Sequence, residues 1–553
     1  MKKISLAIVT ILALITLLSS CKKVPEVNKE YVDVERDLIT VGTTTATIQC
    51  EYEYIATLKK AFLYYGEGED AINMTPTEMY VVHDTLCVNL IDLKENTVYC
   101  YYYEFHNGFD SMKTMAKTFK TGVDFPVVVT AKVTEITDNS AQLGGEVIRD
   151  GGAVETERGI CWSLNENPTL NDNHVNVGSG IGSFSTIVSD LKANTLYHVR
   201  AYATNEAGTV YGTDESFMTL APAGAIRGLF TVNSNGDQVY FSQGNLQYQA
   251  SSNTWRFAEH QWDYVGGTDT ITGELYGNVY ENGIKSDNAL ISPVYNGWID
   301  LFGWGTSGYH DSNDSFNTNY QPWSTSTNIV NANCCNYFGY GPSTNMSSPD
   351  LTGLSNGYDW GVYNLISNGG NSTYQWRTPA FNELDFIFNI RTTAEGTASV
   401  VNGTTDARFA MAIVNGVSGI ILFPDKYIHP DGIIQPEGIN NAVISFAVNN
   451  YSDEAWTSME HAGCVFIPAS GARYNTSFYL GTSAHQGLCG VYWTSTHYNG
   501  EYSYYDGECA YRLGFTSEDV FISNLNFSLY QRQHGSRRYG ESVRLIQDAN
   551  PIK

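Results

Sequence analysis

The sequence predicts a mainly β protein in which two tandem β-sandwiches are followed by a larger α+β domain. Its 553 residues include 51 Gly and 38 Tyr, and only 16% are charged, a composition typical of β-rich domains with many turns. Two segments of the amino-terminal half repeat at a fixed spacing, and the composition changes after Leu220. These observations place both sandwiches before Leu220 and the third domain after it.

The amino terminus predicts export. Lys2 and Lys3 precede an almost unbroken apolar run from Ile4 to Leu18, and the motif "LSSC" then ends at Cys21. This arrangement is typical of a secretory signal peptide, here 1–20, and the apolar run is too short for a good membrane span. An uncleaved membrane anchor is the alternative.

The "LSSC" motif resembles the bacterial lipobox, in which the cysteine becomes the acylated amino terminus of the mature chain. The resemblance implies that Cys21 carries lipid, that 21–30 form a lipidated linker, and that the protein is an outer-membrane lipoprotein of the bacterial cell envelope. We expect it to be exposed at the cell surface. The residues that follow Cys21 contain no clear acidic export signal, so the sequence leaves the membrane leaflet open.

The charge of the chain limits its partners. A formal net charge of -27 argues against nucleic acid, because phosphates need a positive face to neutralise them. No segment after Cys21 is apolar enough to cross a bilayer, so we expect the lipid anchor to be the membrane contact.

A repeat defines the first two units. "LKENTVY" at 93–99 matches "LKANTLY" at 191–197, and "FKT" at Phe119 and "FMT" at Phe217 keep the same 98-residue offset. Side chains of one parity are apolar in both units, which predicts strands. These side chains are Ala46, Ile48 and Cys50; Tyr99, Tyr101 and Tyr103; Ala141, Leu143 and Gly145; and Tyr197, Val199 and Ala201. Cys50 is then expected to point inward and Cys100 outward, so no disulfide between the sheets is expected.

The L-x-x-N-T-x-Y corner and the N-x-x-G turn that follows resemble the fibronectin type III family over 31–122 and 126–220. The resemblance implies β-sandwiches of about seven strands each. Such modules usually act as spacers, and a binding role of their own is the alternative.

The third domain follows a short linker, "LAPAGA", at 220–225. A β-hairpin is predicted around "NSNGD". A helix is predicted in "RTPAFNELDFIFNIRTT", with Thr378 as N-cap, Pro379 in the first turn, and Leu384, Ile387 and Phe388 as its apolar stripe. A second helical turn is expected to be capped by Ser452.

Ordered blocks in this domain include "IDLFGWGTSGY", "WRTPAFNELDFIFNIRTT", "VFIPASGAR" and "RRYGESVRLI". Together they resemble the "major paralogous domain" family of bacterial lipoproteins over 223–548. The resemblance implies a C-type-lectin-like fold, which is also similar to that of formylglycine-generating enzymes.

Enzymatic chemistry is not expected. A related branch of this fold oxidises cysteine with two cysteines close in sequence, whereas Cys489 and Cys509 lie twenty residues apart and Cys464 lies further back. The loop "HDSNDSFNTN" offers Asp311, Asn313 and Asp314 as oxygen ligands, but it lacks the spaced carboxylates of a calcium loop. We therefore expect no cofactor, with calcium as the alternative.

The carboxyl-terminal strands frame a candidate ligand surface. Tyr511, Leu513 and Phe515 share one strand face, and Val543 and Leu545 are expected to point inward from the closing strand "SVRLI". Before and between these strands lie 497–508 and 516–540, which are dense in Tyr, Asn, Ser, Asp and Arg. The candidate ligand-binding residues are Tyr498, Tyr502, Tyr504, Tyr505, Arg512, Asn524, Asn526, Tyr530, Arg532, His534, Arg537 and Tyr539.

Tyrosine suits such a surface because it buries a large amphipathic area at low entropic cost and keeps a hydroxyl for hydrogen bonding. We therefore expect a non-catalytic binding or adhesion lipoprotein whose head recognises a glycan or protein ligand at the cell surface. A structural envelope protein without ligand and a glycan-capture lipoprotein for nutrient uptake are the alternatives. In the structural alternative, the tyrosines only pack the loops.

Overall fold

The computed structural model describes residues 34, 36–51, 58–69, 74–108, 110–153, 156–269, 272–308, 321–323, 350–351, 358–474, 476–479, 489–497, 509–516, 519–521, 534–536 and 539–549. The chain forms one unit up to Thr219 and a second from Leu220, at the start of the predicted linker. The predicted mainly β fold is confirmed. Among the described residues, no helix has both the length and the apolar character needed to span a membrane.

The strands of the first unit are β1 (Arg36–Val41), β2 (Ala46–Glu51), β3 (Lys60–Glu67), β4 (Thr75–Glu78), β5 (Tyr80–Val82), β6 (Thr85–Leu90), β7 (Val98–His106), β8 (Ser111–Lys113), β9 (Lys117–Lys120), β10 (Val127–Thr130), β11 (Ala141–Arg149), β12 (Glu157–Ser163), β13 (Asn173–Ser179), β14 (Gly182–Val188), β15 (Leu196–Asn205), β16 (Gly208–Tyr211) and β17 (Glu215–Met218).

These strands form two β-sandwiches with closely similar topology. In the first, a sheet of order β1-β2-β6-β5 faces a sheet of order β4-β3-β7-β8, and β9 also pairs with β7. In the second, the sheets are β10-β11-β14 and β13-β12-β15-β16, and β17 also pairs with β15. Apart from the additional edge strand β5, the strand order recurs in both sandwiches, and it agrees with the fibronectin type III-like modules that the resemblance implied.

The predicted alternation defines both sandwich cores. Inward residues of β2 and β7, including Cys50 and Tyr101, are at most 3% exposed and belong to one apolar cluster. Cys100 lies outside that cluster, although it too is buried. Five of the cysteines are buried or half-buried free thiols: Cys50, Cys87, Cys161, Cys464 and Cys489.

The repeated corner forms the same hydrogen bond in both sandwiches. The N–H of Lys94 donates to the Tyr99 hydroxyl oxygen at 2.8 Å, and the N–H of Lys192 donates to that of Tyr197 at 3.0 Å. In the second corner, Thr219 Oγ1 accepts from the Thr195 N–H at 2.9 Å. The tyrosine bonds tie the turn before β7 or β15 to the strand that follows it, and the threonine bond ties the second turn to the end of β17, which explains why the motif repeats.

The strands of the second unit are β18 (Ala225–Thr231), β19 (Gln238–Ser242), β20 (Leu246–Gln249), β21 (Thr254–Phe257), β22 (Tyr280–Glu281), β23 (Ile284–Lys285), β24 (Ser399–Val401), β25 (Thr404–Ala407), β26 (Phe409–Val414), β27 (Val417–Leu422), β28 (Asn450–Tyr451), β29 (Val465–Pro468), β30 (Ala472–Tyr474), β31 (Ser477–Tyr479), β32 (Gly490–His497), β33 (Cys509–Thr516), β34 (Asp519–Phe521), β35 (His534–Ser536), β36 (Tyr539–Gly540) and β37 (Ile546–Asp548).

Small sheets make up the second unit. The largest are β28-β26-β27-β29 and β32-β33-β34, the latter with β35 also paired to β33. The predicted hairpin around "NSNGD" is confirmed as β18 and β19. Val543 and Leu545 are fully buried as predicted, but the closing strand is β37, which begins only at Ile546.

The helices of this unit are α1 (Trp360–Tyr363), α2 (Phe381–Asp385), which continues as a π-helical turn (Phe386–Ile390), and α3 (Asp453–His461), with short 3-10 turns at Asn288–Leu290 and Phe446–Val448. The helix predicted after Ser452 is confirmed as α3, where the Ser452 side chain accepts from the Ala455 N–H.

The predicted cap of α2 is wrong. Its N-cap is Ala380, and Glu383 Oε2 accepts from the Ala380 N–H at 2.7 Å. Thr378 is instead fully buried, and its N–H donates to Asp359 Oδ2 at 3.0 Å. The Asp359 carboxylate, at the N-cap of α1, thus accepts the hydrogen bond of Thr378, and α2 begins later along the chain. Leu384, Ile387 and Phe388 are buried as predicted.

Candidate functional site

The predicted ligand surface is framed by β32 and β33. The two strands pair antiparallel from Gly490↔Phe515 to His497↔Ala510, with a shift in register after Trp493. Trp493 is fully buried and its indole N–H donates to the Phe302 carbonyl at 2.7 Å. The two strands are therefore anchored in the core. Segment 498–508 connects them, and the residues that flank it lie close together because His497 pairs with Ala510.

The other edge of β33 pairs with β34 and β35. Gly514 lies opposite Phe521, and Tyr511 lies opposite His534. The chain leaves this edge at Phe521 and rejoins it at His534, on either side of Arg512. Segment 498–508 thus connects β32 to β33, and 522–533 connects β34 to β35, so the ends of both segments lie at β33 or at strands paired with it.

Arg512 is fixed by a buried carboxylate. Its Nη1 donates to Glu541 Oε1 at 2.6 Å, and the side chains are 18% and 0% exposed. Burial raises the pKa of Glu541 to about 7, although the Arg512 charge opposes this rise. Within the part of the chain that the structure describes, Arg512 Nε and Glu541 Oε2 have no hydrogen-bond partner.

A second contact with a carboxylate lies at the end of β32. His497 Nδ1 and the His497 N–H contact Asp350 Oδ1 at 2.7 and 2.9 Å. Burial alone would raise the pKa of Asp350, but the hydrogen bonds from His497 outweigh it and hold that pKa below its ordinary value. This pair fixes the point at which 498–508 leaves the frame.

Two aromatic contacts complete the described part of the site. The half-buried Tyr511 packs on Phe381, with ring centroids 4.2 Å apart, and burial raises the pKa of its phenol. The half-buried Tyr539 packs on Tyr474 at 5.5 Å. Each ring is thus steadied by an aromatic neighbour while part of it stays accessible.

Of the predicted ligand residues, the structure describes the side chains of Arg512 and Tyr539 and the backbone of His534. The rest lie outside the described residues: Tyr498, Tyr502, Tyr504, Tyr505, Asn524, Asn526, Tyr530, Arg532 and Arg537. Cys21 and the acidic loop with Asp311, Asn313 and Asp314 also lie outside them. Within the described ranges, no cluster of three His, Cys, Asp or Glu residues could hold a metal ion.

Sequence reasoning missed Glu541 and Asp350. Glu541 sits inside the block "RRYGESVRLI", so its position just before the predicted closing strand was the available signal. Asp350 lies far from His497 along the chain, and nothing near it in the sequence marks it. Of the three cysteines considered for catalysis, Cys464 and Cys489 are unlike reactive thiols, because burial raises the pKa of Cys464 and raises that of Cys489 to about 11. The side chain of Cys509 lies outside the described part of the structure.

Comparison with known proteins gives little on this site. No protein-family model matches the chain, and no curated protein matches it. Among solved structures, the chain is similar to the crystal structure of chicken CNTN1 FN1-FN3 domains, at 11% identity over 39% of this chain and 76% of that chain, with a TM-score of 0.23.

Proposed function

We propose that this protein is a lipid-anchored, non-catalytic binding protein of the bacterial cell envelope. In this proposal Cys21 carries the lipid in the outer membrane, the two sandwiches act as a spacer, and 223–548 form a C-type-lectin-like head. The head recognises a glycan or protein ligand through 492–540. The observation that supports the proposal best is that 498–508, which connects β32 to β33, and 522–533, which connects β34 to β35, both begin and end at β33 or at strands paired with it.

The chemistry of these segments suits recognition. Tyrosine rings stack on sugar or protein surfaces, and Asn, Asp and Arg side chains supply directional hydrogen bonds. The frame beneath them is stiff, because Trp493, Leu513 and Phe515 are at most 2% exposed. A stiff frame lowers the entropy lost when a ligand binds.

Protease treatment of intact cells tests exposure of the head. We expect external protease to remove the head from wild-type cells, and a Cys21→Ser variant to lose its lipid and its membrane fraction. A head that stays protected on intact cells, but is cleaved after lysis, would contradict a surface-facing binding protein.

Binding of the purified mature chain to a glycan array and to intact cells tests recognition. We expect a Tyr502→Ala/Tyr504→Ala/Tyr505→Ala variant to bind at least tenfold more weakly. The matched control is Tyr280→Ala/Tyr374→Ala, which removes head tyrosines that are 56% and 59% exposed, and it should bind normally. EDTA should leave binding unchanged. Equal binding by all three proteins, or none to either probe, favours a structural envelope protein.

A further inference from the structure

The connection between the two sandwiches is held from both sides. It runs from Gly122 to Pro126, between β9 and β10. The Gly122 N–H donates to the Gly42 carbonyl of the first sandwich at 3.0 Å, and the Asp124 N–H donates to the Gly151 carbonyl of the second at 2.9 Å. The short linker therefore has fixed hydrogen-bond partners in each module.

A buried side chain fixes the same linker a second time. Asn205 is 9% exposed, and its Nδ2 donates to the Asp124 carbonyl at 2.7 Å and to the Asp150 carbonyl at 2.8 Å. One amide group of the second sandwich thus fastens both the linker and the turn after β11. That turn is the part of the second sandwich that meets the first.

The sandwiches also contact each other directly. Asn96 Nδ2, in the corner of the first sandwich, donates to the Gly152 carbonyl at 2.5 Å. The Arg149 guanidinium forms an ion pair with Glu95, and its Nη2 donates to Asp124 Oδ2 at 2.9 Å. Arg149 therefore joins the second sandwich to both the first sandwich and the linker.

The turn after β11 needs glycine because its backbone lies very close to the linker and to the first sandwich. Gly151 and Gly152 have φ of 72° and 77°, in the left-handed region. A Cβ on Gly151 would lie 2.0 Å from the Asp124 carbonyl oxygen, and one on Gly152 would lie 2.8 Å from Glu95 Cβ. Backbone shape and close contact both exclude a side chain at this joint.

We propose that the two sandwiches form a single stiff spacer whose mutual angle is fixed by this joint of Asn96, Arg149, Gly152 and Asn205. Domains joined only by a short linker move relative to each other by default. Here the hydrogen bonds to the linker, the hydrogen bond from the Asn96 side-chain amide and the ion pair of Arg149 with Glu95 all have to break before the angle between the sandwiches changes. The spacer then keeps its two ends at a fixed distance from each other, whatever ligand the second unit binds.

Electron–electron distance measurement on the full mature chain tests the proposal. Spin labels are attached through non-natural amino acids at Val81 in the first sandwich and Leu164 in the second, which are 57% and 55% exposed. We expect a narrow distance distribution in the otherwise wild-type chain. The width should at least double in Asn96→Ala/Arg149→Ala and in Gly152→Ala.

Two controls separate the joint from the modules. Gly180 has φ of 88° but no atom within 4 Å of a built Cβ, so Gly180→Ala imposes similar backbone strain away from the joint. Arg36→Ala removes an exposed ion pair inside the first sandwich. Both should keep the narrow distribution. A broad distribution in the wild-type chain, or a narrow one in both joint variants, would overturn the proposal.

Discussion

Arg512 and Glu541 form an ion pair in which the carboxylate is fully buried and the guanidinium only 18% exposed, with Nη1 and Oε1 2.6 Å apart. Burying a charge is costly unless its partner stays in place. The stability of the second unit therefore depends on Arg512, which lies between the positions at which β34 and β35 pair with β33.

Replacing Arg512 with alanine should destabilise the second unit by about 3 kcal/mol at pH 8, the low end for breaking a buried pair, because Arg512 is partly exposed. Urea unfolding followed by tryptophan fluorescence measures this, since every tryptophan except Trp162 lies after Leu220. Adding Glu541→Gln to Arg512→Ala should recover part of the loss, because no buried charge then remains. A double variant less stable than Arg512→Ala would rule out this cause.

The second unit should lose stability as pH rises from about 4 to 7. Burial raises the pKa of Glu541 to about 7 and those of Asp300 and Asp359 to about 6. The folded unit then binds more protons than the unfolded chain, so the stabilisation is complete below the unfolded pKa values and is lost as pH passes the folded ones.

Each pKa unit corresponds to about 1.4 kcal/mol, so the three shifts together should lower the stability by several kcal/mol. Asp350, whose pKa is lowered, acts in the opposite direction, but at pH below 4. Melting temperatures at pH 5 and pH 8 measure the effect, and Glu541→Gln should flatten the dependence. A unit more stable at pH 8 than at pH 5 would contradict the assignment.

Removing the hydroxyl of Tyr99 or Tyr197 should destabilise its own sandwich by about 1 kcal/mol, the usual net value of one hydrogen bond. Both rings are at most 7% exposed, and each accepts a backbone N–H through its hydroxyl. Tyr99→Phe and Tyr197→Phe should therefore have similar effects in thermal unfolding of the first unit. Tyr80→Phe, at a 48% exposed tyrosine, is the control. A corner variant no more destabilised than this control would refute the role of the corner.

The sequence predicted the parts of the fold that depend on local pattern. Alternation located Ile48, Tyr101 and Val199 in sandwich cores, and Ser452 marked the start of α3, because strand parity and helix capping act over a few residues. Thr378 was misassigned because Asp359, distant in the chain, takes its hydrogen bonds.

The candidate site was less predictable for the same reason. β32 is buried on both faces from Gly490 to Ser495, so Tyr492 and Trp493 belong to the core although they open the tyrosine-rich stretch. Alternation cannot distinguish core from surface in such a strand. The partners Glu541 and Asp350 depend on tertiary contacts, which no local spacing encodes.

Asp425 should be among the most sensitive positions of the second unit. Its side chain is 3% exposed, and Oδ2 accepts from the Thr231 N–H at 2.9 Å, the Thr231 hydroxyl at 2.7 Å and Gln238 Nε2 at 2.9 Å. Oδ1 pairs with Arg391 Nη1 at 3.1 Å, and Arg391 is fully buried. Burial lowers the pKa of Arg391 to about 10.

Asp425→Ala should therefore lower the free energy of unfolding in urea by about 3–5 kcal/mol, because it leaves the buried Arg391 guanidinium without its carboxylate and removes the acceptor for three donors. Asp425→Asn keeps one oxygen and should cost less. Arg391→Met added to Asp425→Ala should recover only part of the loss, since the Thr231 N–H still lacks its acceptor. Asp431→Ala, at an exposed carboxylate of the same unit, is the control. An Asp425→Ala variant as stable as this control would show that the carboxylate does not hold β18 to the rest of the unit.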